Sequence, residues 1–143
     1  MAGPVIDMLF PEGSQSSIPI AAITGTNGKT TTSRMLAHIL KMSGRTVGLT
    51  STDGVYIDGQ LSVQGDMTGP TSSQIVLRDP SVDAAVMETA RGGMLRSGLG
   101  FRECNVSCCL NIAADHLGAR LAWELYEHLT ERGLVVVPFV PGR

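Results

Sequence analysis

The chain has 143 residues, 43% of them hydrophobic, with 11 Lys and Arg against 13 Asp and Glu and a formal charge of −2. That size and composition suit one domain with a real core and exclude a disordered polyelectrolyte. The charge excludes the basic footprint of a protein that binds nucleic acid or an anionic membrane, and no apolar run reaches the roughly 18 residues that a membrane span needs.

Residues 1–17 read as a lead-in segment. Their start, MAGPVIDMLFPEG, has neither the basic opening nor the apolar core of a secretion signal, and their end, EGSQSS, is a polar loop. IPIAAITG (18–25) reads as a short buried strand, followed by a glycine-rich turn. TTTSRMLAHILKMSG (30–44) reads as a helix with Met35, Leu36, Ile39 and Leu40 on one face and Gly44 as its stop. TVGLTST (46–52) is a second strand. DGVYIDGQLSV (53–63) is a hairpin, because Asp58-Gly59 is a strong tight-turn signal. TSSQIVLRD (71–79) is a helix capped by Thr71 or Ser72 and ended by Asp79-Pro80. DAAVMET (83–89) is a third buried strand, RGGMLRSGLG (91–100) a loop with room for a helical turn, and VSCCLNI (106–112) a fourth strand. RLAWELYEHLTERG (120–133) is a last helix, with Trp123 packing the tail, and LVVVPFVP (134–141) is an edge strand or none, because of Pro138. Alternation of strands and helices predicts an α/β fold: a mainly parallel sheet with helices on both faces. Cys104, Cys108 and Cys109 lack a paired zinc spacing, so buried reduced thiols in a cytoplasmic protein are expected.

ITGTNGKTTTSRML (23–36) carries the chemistry. A glycine-rich turn between a strand and a helix lets backbone N–H groups converge on an anion, and the helix dipole adds attraction. Gly25, Thr26, Asn27, Gly28, Lys29, Thr30 and Thr31 are the candidate phosphate-binding residues. Lys29 brings a full charge to the terminal phosphates, and the Thr30 hydroxyl can ligate Mg2+. The match to a strict phosphate loop is partial, because Ile23 stands where its first glycine would be. Glu88 closes an apolar strand and so faces the crevice where such sheets bind ligands. Asn111 closes another and is a candidate to orient the site, whereas His38 and His128 fall in predicted helices and are taken as structural.

TGTNGKTTT resembles the ATP-binding motif of the Mur ligase family, ATP-dependent acid–amino-acid ligases with three domains. LTSTDGVYIDG, the stretch from GDMTGP to SGLGF, and LNIAADHLG are most similar to the Mur-ligase-like region of the cyanophycin synthetases. The resemblance covers about residues 4–118. It implies a phosphate-loop-NTPase-like fold, a partial central ATP-binding domain at 18–118 and an atypical tail at 119–143. It implies ATP and Mg2+ as cofactors, with arginine and an aspartate-rich polymer as partners in the intact enzyme. In that chemistry ATP phosphorylates a carboxylate and an amine attacks the acyl phosphate.

By the same resemblance Thr30 and Glu88 hold one Mg2+, and His116, in ADHLG, contacts a second. Lys29 and Arg91 are the catalytic candidates. Arg91 reads either as a group for the polymer's carboxylates or the acyl phosphate, or as a surface arginine. The turn Thr68–Thr71 reads either as a second anion site facing the acceptor carboxylate or as a simple capped turn. The isolated chain is expected to be a fragment that does not ligate. The alternatives are a nucleotide-binding module without catalysis, or a truncated product whose open sheet edge favours homo-oligomers.

Overall fold

The computed structural model describes residues 18–111. The expectations for the lead-in, Ile112, His116, Trp123, His128 and the tail lie outside the described residues. Along the chain the elements are β1 (Ile20–Thr24), α1 (Lys29–Met42), β2 (Val47–Ser51), β3 (Gly54–Ile57), β4 (Gln60–Gln64), α2 (Pro70–Arg78), β5 (Ala84–Glu88), α3 (Arg91–Ser97) and β6 (Val106–Cys109). They form one six-stranded sheet in the order β4-β3-β2-β5-β1-β6. β1 pairs in parallel with β5 and β6, and β5 with β2, while β3 and β4 add an antiparallel hairpin at one edge. The α/β architecture and its mainly parallel core are therefore as the sequence predicts.

The period-2 geometry of the strands divides the core into two clusters. On one face Ile23, Val47, Leu49 and Val86 pack under Leu36, Ala37 and Leu40 of α1. On the other, Val55, Ala85 and Met87 pack with Val76 of α2 and with Val82. The middle strand β5 is buried throughout, which suits its apolar run AAVM.

Four local expectations change. The sheet-facing stripe of α1 includes Ser33, fully buried, with Leu36, Ala37 and Leu40, whereas Met35 and Ile39 are each 61% exposed. A 3.6-residue period admits neighbouring stripes, and the small Ser33 lets the helix sit close to the sheet on this one. Helix α2 is not capped by Thr71 or Ser72. Gly69 is its N-cap and Pro70 opens it, a position where the missing N–H costs nothing. Residues 91–97 are helical rather than loop. The strand predicted over 106–112 ends at Cys109, and all three cysteines are free and half-buried rather than buried. The hairpin holds: Asp58 and Gly59 have φ of 49° and 80°, the pair of positive angles that a two-residue turn of this kind requires.

Gly48 of β2 faces α2 so closely that a Cβ there would lie 2.3 Å from Val76 Cγ1. Val76 is fully buried and stiff at χ1, so it has little room to yield. Gly48→Ala should lower stability by about 1–3 kcal/mol, read as a lower urea midpoint. An unchanged midpoint would show that α2 moves aside without loss.

Candidate functional site

The carboxyl ends of β1, β5, β2 and β6 all open on one edge of the sheet, because these four strands run parallel. Ligands in open α/β sheets bind there. Register places Ile23 beside Glu88, and Thr24 beside Cys109. The strand ends are tied together: Thr24 Oγ1 donates to the Thr89 carbonyl (2.9 Å) and Thr89 Oγ1 to the Ile23 carbonyl (3.2 Å).

From β1 the chain turns through Gly25 and Gly28, with φ of 140° and 84°, into the first turn of α1. No side chain caps that turn. N–H groups in an uncapped first turn can receive an anion. Lys29 Nζ donates back to the carbonyls of Gly25 (2.9 Å) and Thr26 (3.2 Å), at the rim of a cavity of about 270 Å3. Thr24, Arg91, Cys109 and Asn111 also line this cavity. Arg91, at the start of α3, is exposed and lines the same cavity as the loop.

Asn111 does more than close a strand. Its Oδ1 accepts from the N–H groups of Thr26 (3.1 Å) and Asn27 (2.9 Å), and its Nδ2 donates to the Asn27 carbonyl (2.9 Å). Gly25 lies against it, where a Cβ would come within 3.1 Å of the Asn111 backbone. The amides of Thr26 and Asn27 are turned to Asn111, and the first turn of α1 is the part of the loop without a side-chain cap. At the Thr68 turn, Asp66 Oδ1 accepts from both the N–H (3.3 Å) and the hydroxyl (2.8 Å) of Thr68, which is a local capped turn.

Glu88 is only 1% exposed. The Thr30 hydroxyl lies 3.1 Å from each of its carboxylate oxygens, and Ser51 Oγ lies 3.1 Å from Oε2. Thr52 Oγ1 stands 3.3 Å from Thr30 Oγ1. A buried carboxylate held by hydroxyls is an all-oxygen donor set, the kind that Mg2+ prefers over softer metals. Among the described residues no three His, Cys, Asp or Glu side chains gather into a cage.

Ser51, Thr52 and Asp53 are the residues that motif reading passes over. Ser51 Oγ lies 2.7 Å from Asp53 Oδ1, Tyr56 donates to Asp53 Oδ2 (2.7 Å), and Arg34 pairs with the same Oδ2. The Ser51 hydrogen bond, then Tyr56, and then the Arg34 charge hold the Asp53 carboxyl below its ordinary range, against the opposing effect of burial. A depressed carboxyl stabilises the fold at neutral pH, and that contribution is lost only as acid carries the pH down through its lowered pKa. The available signal was position alone: TST ends β2 at the same sheet edge as Glu88.

Asn111→Ala should release the loop. Exchange of the Asn27 amide should speed up about 2- to 13-fold for one lost hydrogen bond, and an unchanged rate would show that the loop holds its shape without the carboxamide.

The model of the Mur ligase middle domain matches residues 23–135. The cyanophycin synthetase of a Synechocystis species is 61% identical over 118 residues, 82% of this chain and 14% of that protein. A UDP-N-acetylmuramoyl-L-alanyl-D-glutamate--2,6-diaminopimelate ligase of Clostridium botulinum is 33% identical over 114 residues, 76% of this chain and 23% of its own length. The chain therefore spans only a small part of the curated relatives it matches.

The fold is similar to that of a solved diaminopimelate ligase of the same name (TM-score 0.61, 22% identity, 86% of this chain and 26% of that one). It is also similar to a bifunctional folylpolyglutamate synthase/dihydrofolate synthase solved with Mn, AMPPNP and L-glutamate bound (TM-score 0.65, 20% identity, 87% of this chain and 44% of that one). With a strand, a glycine-rich turn and a helix in the expected order, and with most of its length matched, the chain belongs to the Mur ligase family through that family's middle domain.

Proposed function

We propose that this chain is the ATP-binding part of a ligase of the cyanophycin synthetase type, which joins arginine to the side-chain carboxylates of an aspartate-rich polymer. The observation that carries the reading is the meeting of Thr30 and Glu88, 58 residues apart in sequence, at 3.1 Å beside Lys29. The identity to the Synechocystis cyanophycin synthetase supports the substrate class. The half-buried free thiols suit the reducing, ATP-supplied cytoplasm.

In this reading the first turn of α1 and Lys29 bind the β- and γ-phosphates. Lys29 gives up its two loop carbonyls to do so. Thr30 and Glu88 would hold Mg2+, and His116 would contact a second. The bound metal supplies charge neutralisation on the phosphates as the γ-phosphoryl group passes to a carboxylate oxygen and ADP leaves. Arg91, across the cavity from Lys29, binds the carboxylate or the resulting acyl phosphate. The incoming guanidino or amino nitrogen then attacks the acyl carbon, phosphate departs, and the nitrogen loses a proton. Positioning and charge do most of this work.

The chain by itself is proposed to bind nucleotide without ligating, since it matches only 14% of the length of the relative that ligates. Detectable arginine addition to poly-aspartate by the purified 143-residue chain would overturn that part. The binding part is tested at Lys29. A charge-assisted hydrogen bond is worth about 1.5–3 kcal/mol, so Lys29→Ala should weaken Mg-ATP binding by roughly 10- to 150-fold. Unchanged affinity would place the nucleotide elsewhere.

A further inference from the structure

Ser51 holds a position that one hydrogen cannot satisfy. Its Oγ lies 2.7 Å from Asp53 Oδ1 and 3.1 Å from Glu88 Oε2, and a hydroxyl has a single proton to give. If the proton goes to Glu88, it points into the space that Thr30 and Glu88 share, where it would oppose a cation. If it goes to Asp53, the Ser51 oxygen and Glu88 Oε2 face each other with no hydrogen between them. A cation between the two oxygens makes that second contact favourable.

The geometry selects the second state. The distance to Asp53 is the shorter one. The other oxygen of Asp53 is occupied by Tyr56 (2.7 Å) and by Arg34, which leaves Oδ1 for Ser51. Arg34 is itself held, with Nη2 3.2 Å from the Tyr56 hydroxyl and its guanidinium 5.5 Å from the Tyr56 ring centre. Both partners of the Arg34–Asp53 pair are about half exposed, so the pair adds little to stability by itself. Arg34 stands one helical turn after Thr30 on α1. The same helix therefore presents one residue to the Glu88 carboxylate and, four positions on, one to the Asp53 carboxylate.

We propose that Asp53 is a positioning residue for the divalent-cation site: by holding the Ser51 proton, it keeps the Ser51 oxygen open toward Glu88. Arg34 and Tyr56 fix Asp53 in that task. The inference rests on the reading of Thr30 and Glu88 as metal residues given above, and it adds a residue that touches neither metal nor nucleotide.

The test uses the full chain, ATP and Mg2+, and compares the ATP Kd in EDTA with the Kd in Mg2+. In the wild type, Mg2+ should tighten binding. Asp53→Ala should cut that tightening by about 2- to 13-fold while moving the Kd in EDTA much less. Ser51→Ala should cut it similarly, and the double variant should lose no more than Ser51→Ala alone. Additive losses, or an Asp53→Ala variant with the wild-type response to Mg2+, overturn the inference. So does an equal loss in EDTA and in Mg2+, which marks a merely structural role. If Asp53→Ala does not fold, as judged by circular dichroism, Asp53→Asn carries the test. Its amide keeps the shape with a weaker acceptor, so a reduced response supports the inference and a wild-type response overturns it. A wild type whose ATP affinity ignores Mg2+ overturns the metal reading itself, and this inference with it. A wild type that responds beside an Asp53→Ala that responds equally overturns this inference alone.

Discussion

Glu88 sits at the end of the middle strand with almost none of its surface in water. A carboxylate in that position is costly unless its oxygens are satisfied. Much of the surrounding arrangement follows from this. The first turn of α1 brings Thr30 onto it, and β2 brings Ser51. Both come from the face of the sheet that α1 covers. Strand period puts Glu88 there too, two residues beyond Val86, which packs in the same cluster. The Thr30 hydroxyl answers part of the carboxylate's need for donors without cancelling its charge.

The phosphate side of the site depends on a second, softer constraint. Glycine-rich loops gain their reach by giving up stiffness, and this one regains it from a residue 84 positions away. Asn111 closes around Asn27 with a donor and an acceptor, which an amide side chain can do and a carboxylate cannot. The loop and the strand end beyond β6 are thus one construction. Lys29 bridges two carbonyls of the same loop, which places its charge at the rim of the cavity rather than out in solvent.

The parts of this arrangement that were legible in the sequence have local causes. The strand–glycine–lysine–helix order at 20–42 and the Asp58-Gly59 hairpin each follow from residues that permit few alternatives. Helix faces were less legible. Apolar spacing puts Met35 and Ile39 on the sheet side with Leu36 and Leu40, because apolar side chains alone do not reveal that Ser33 marks the close approach. The cap of α2 was misplaced for a similar reason: Pro70 already announces a helix start, and it outranks the hydroxyls that follow. Lys29, Thr30, Glu88 and Asn111 each carry a signal of type and position, and the structure gathers them. Ser51 and Asp53 carry none. Ser51 reaches Glu88, and Asp53 meets Ser51 beside it, because β5 inserts between β1 and β2 in the sheet, a long-range fact that no local spacing encodes.

The clamp of Asn111 on the Thr26 and Asn27 backbone has a thermodynamic consequence. Among the described residues β6 is the edge strand, with Val106 54% exposed, and it pairs with β1 alone. A ligand that binds the loop in its clamped shape binds the paired state of that edge and not the frayed one. By linkage it must then protect β6 from opening by as much as the clamp favours the ligand. Occupancy of the phosphate loop and order at the sheet's outer edge are, in this chain, two readings of a single equilibrium.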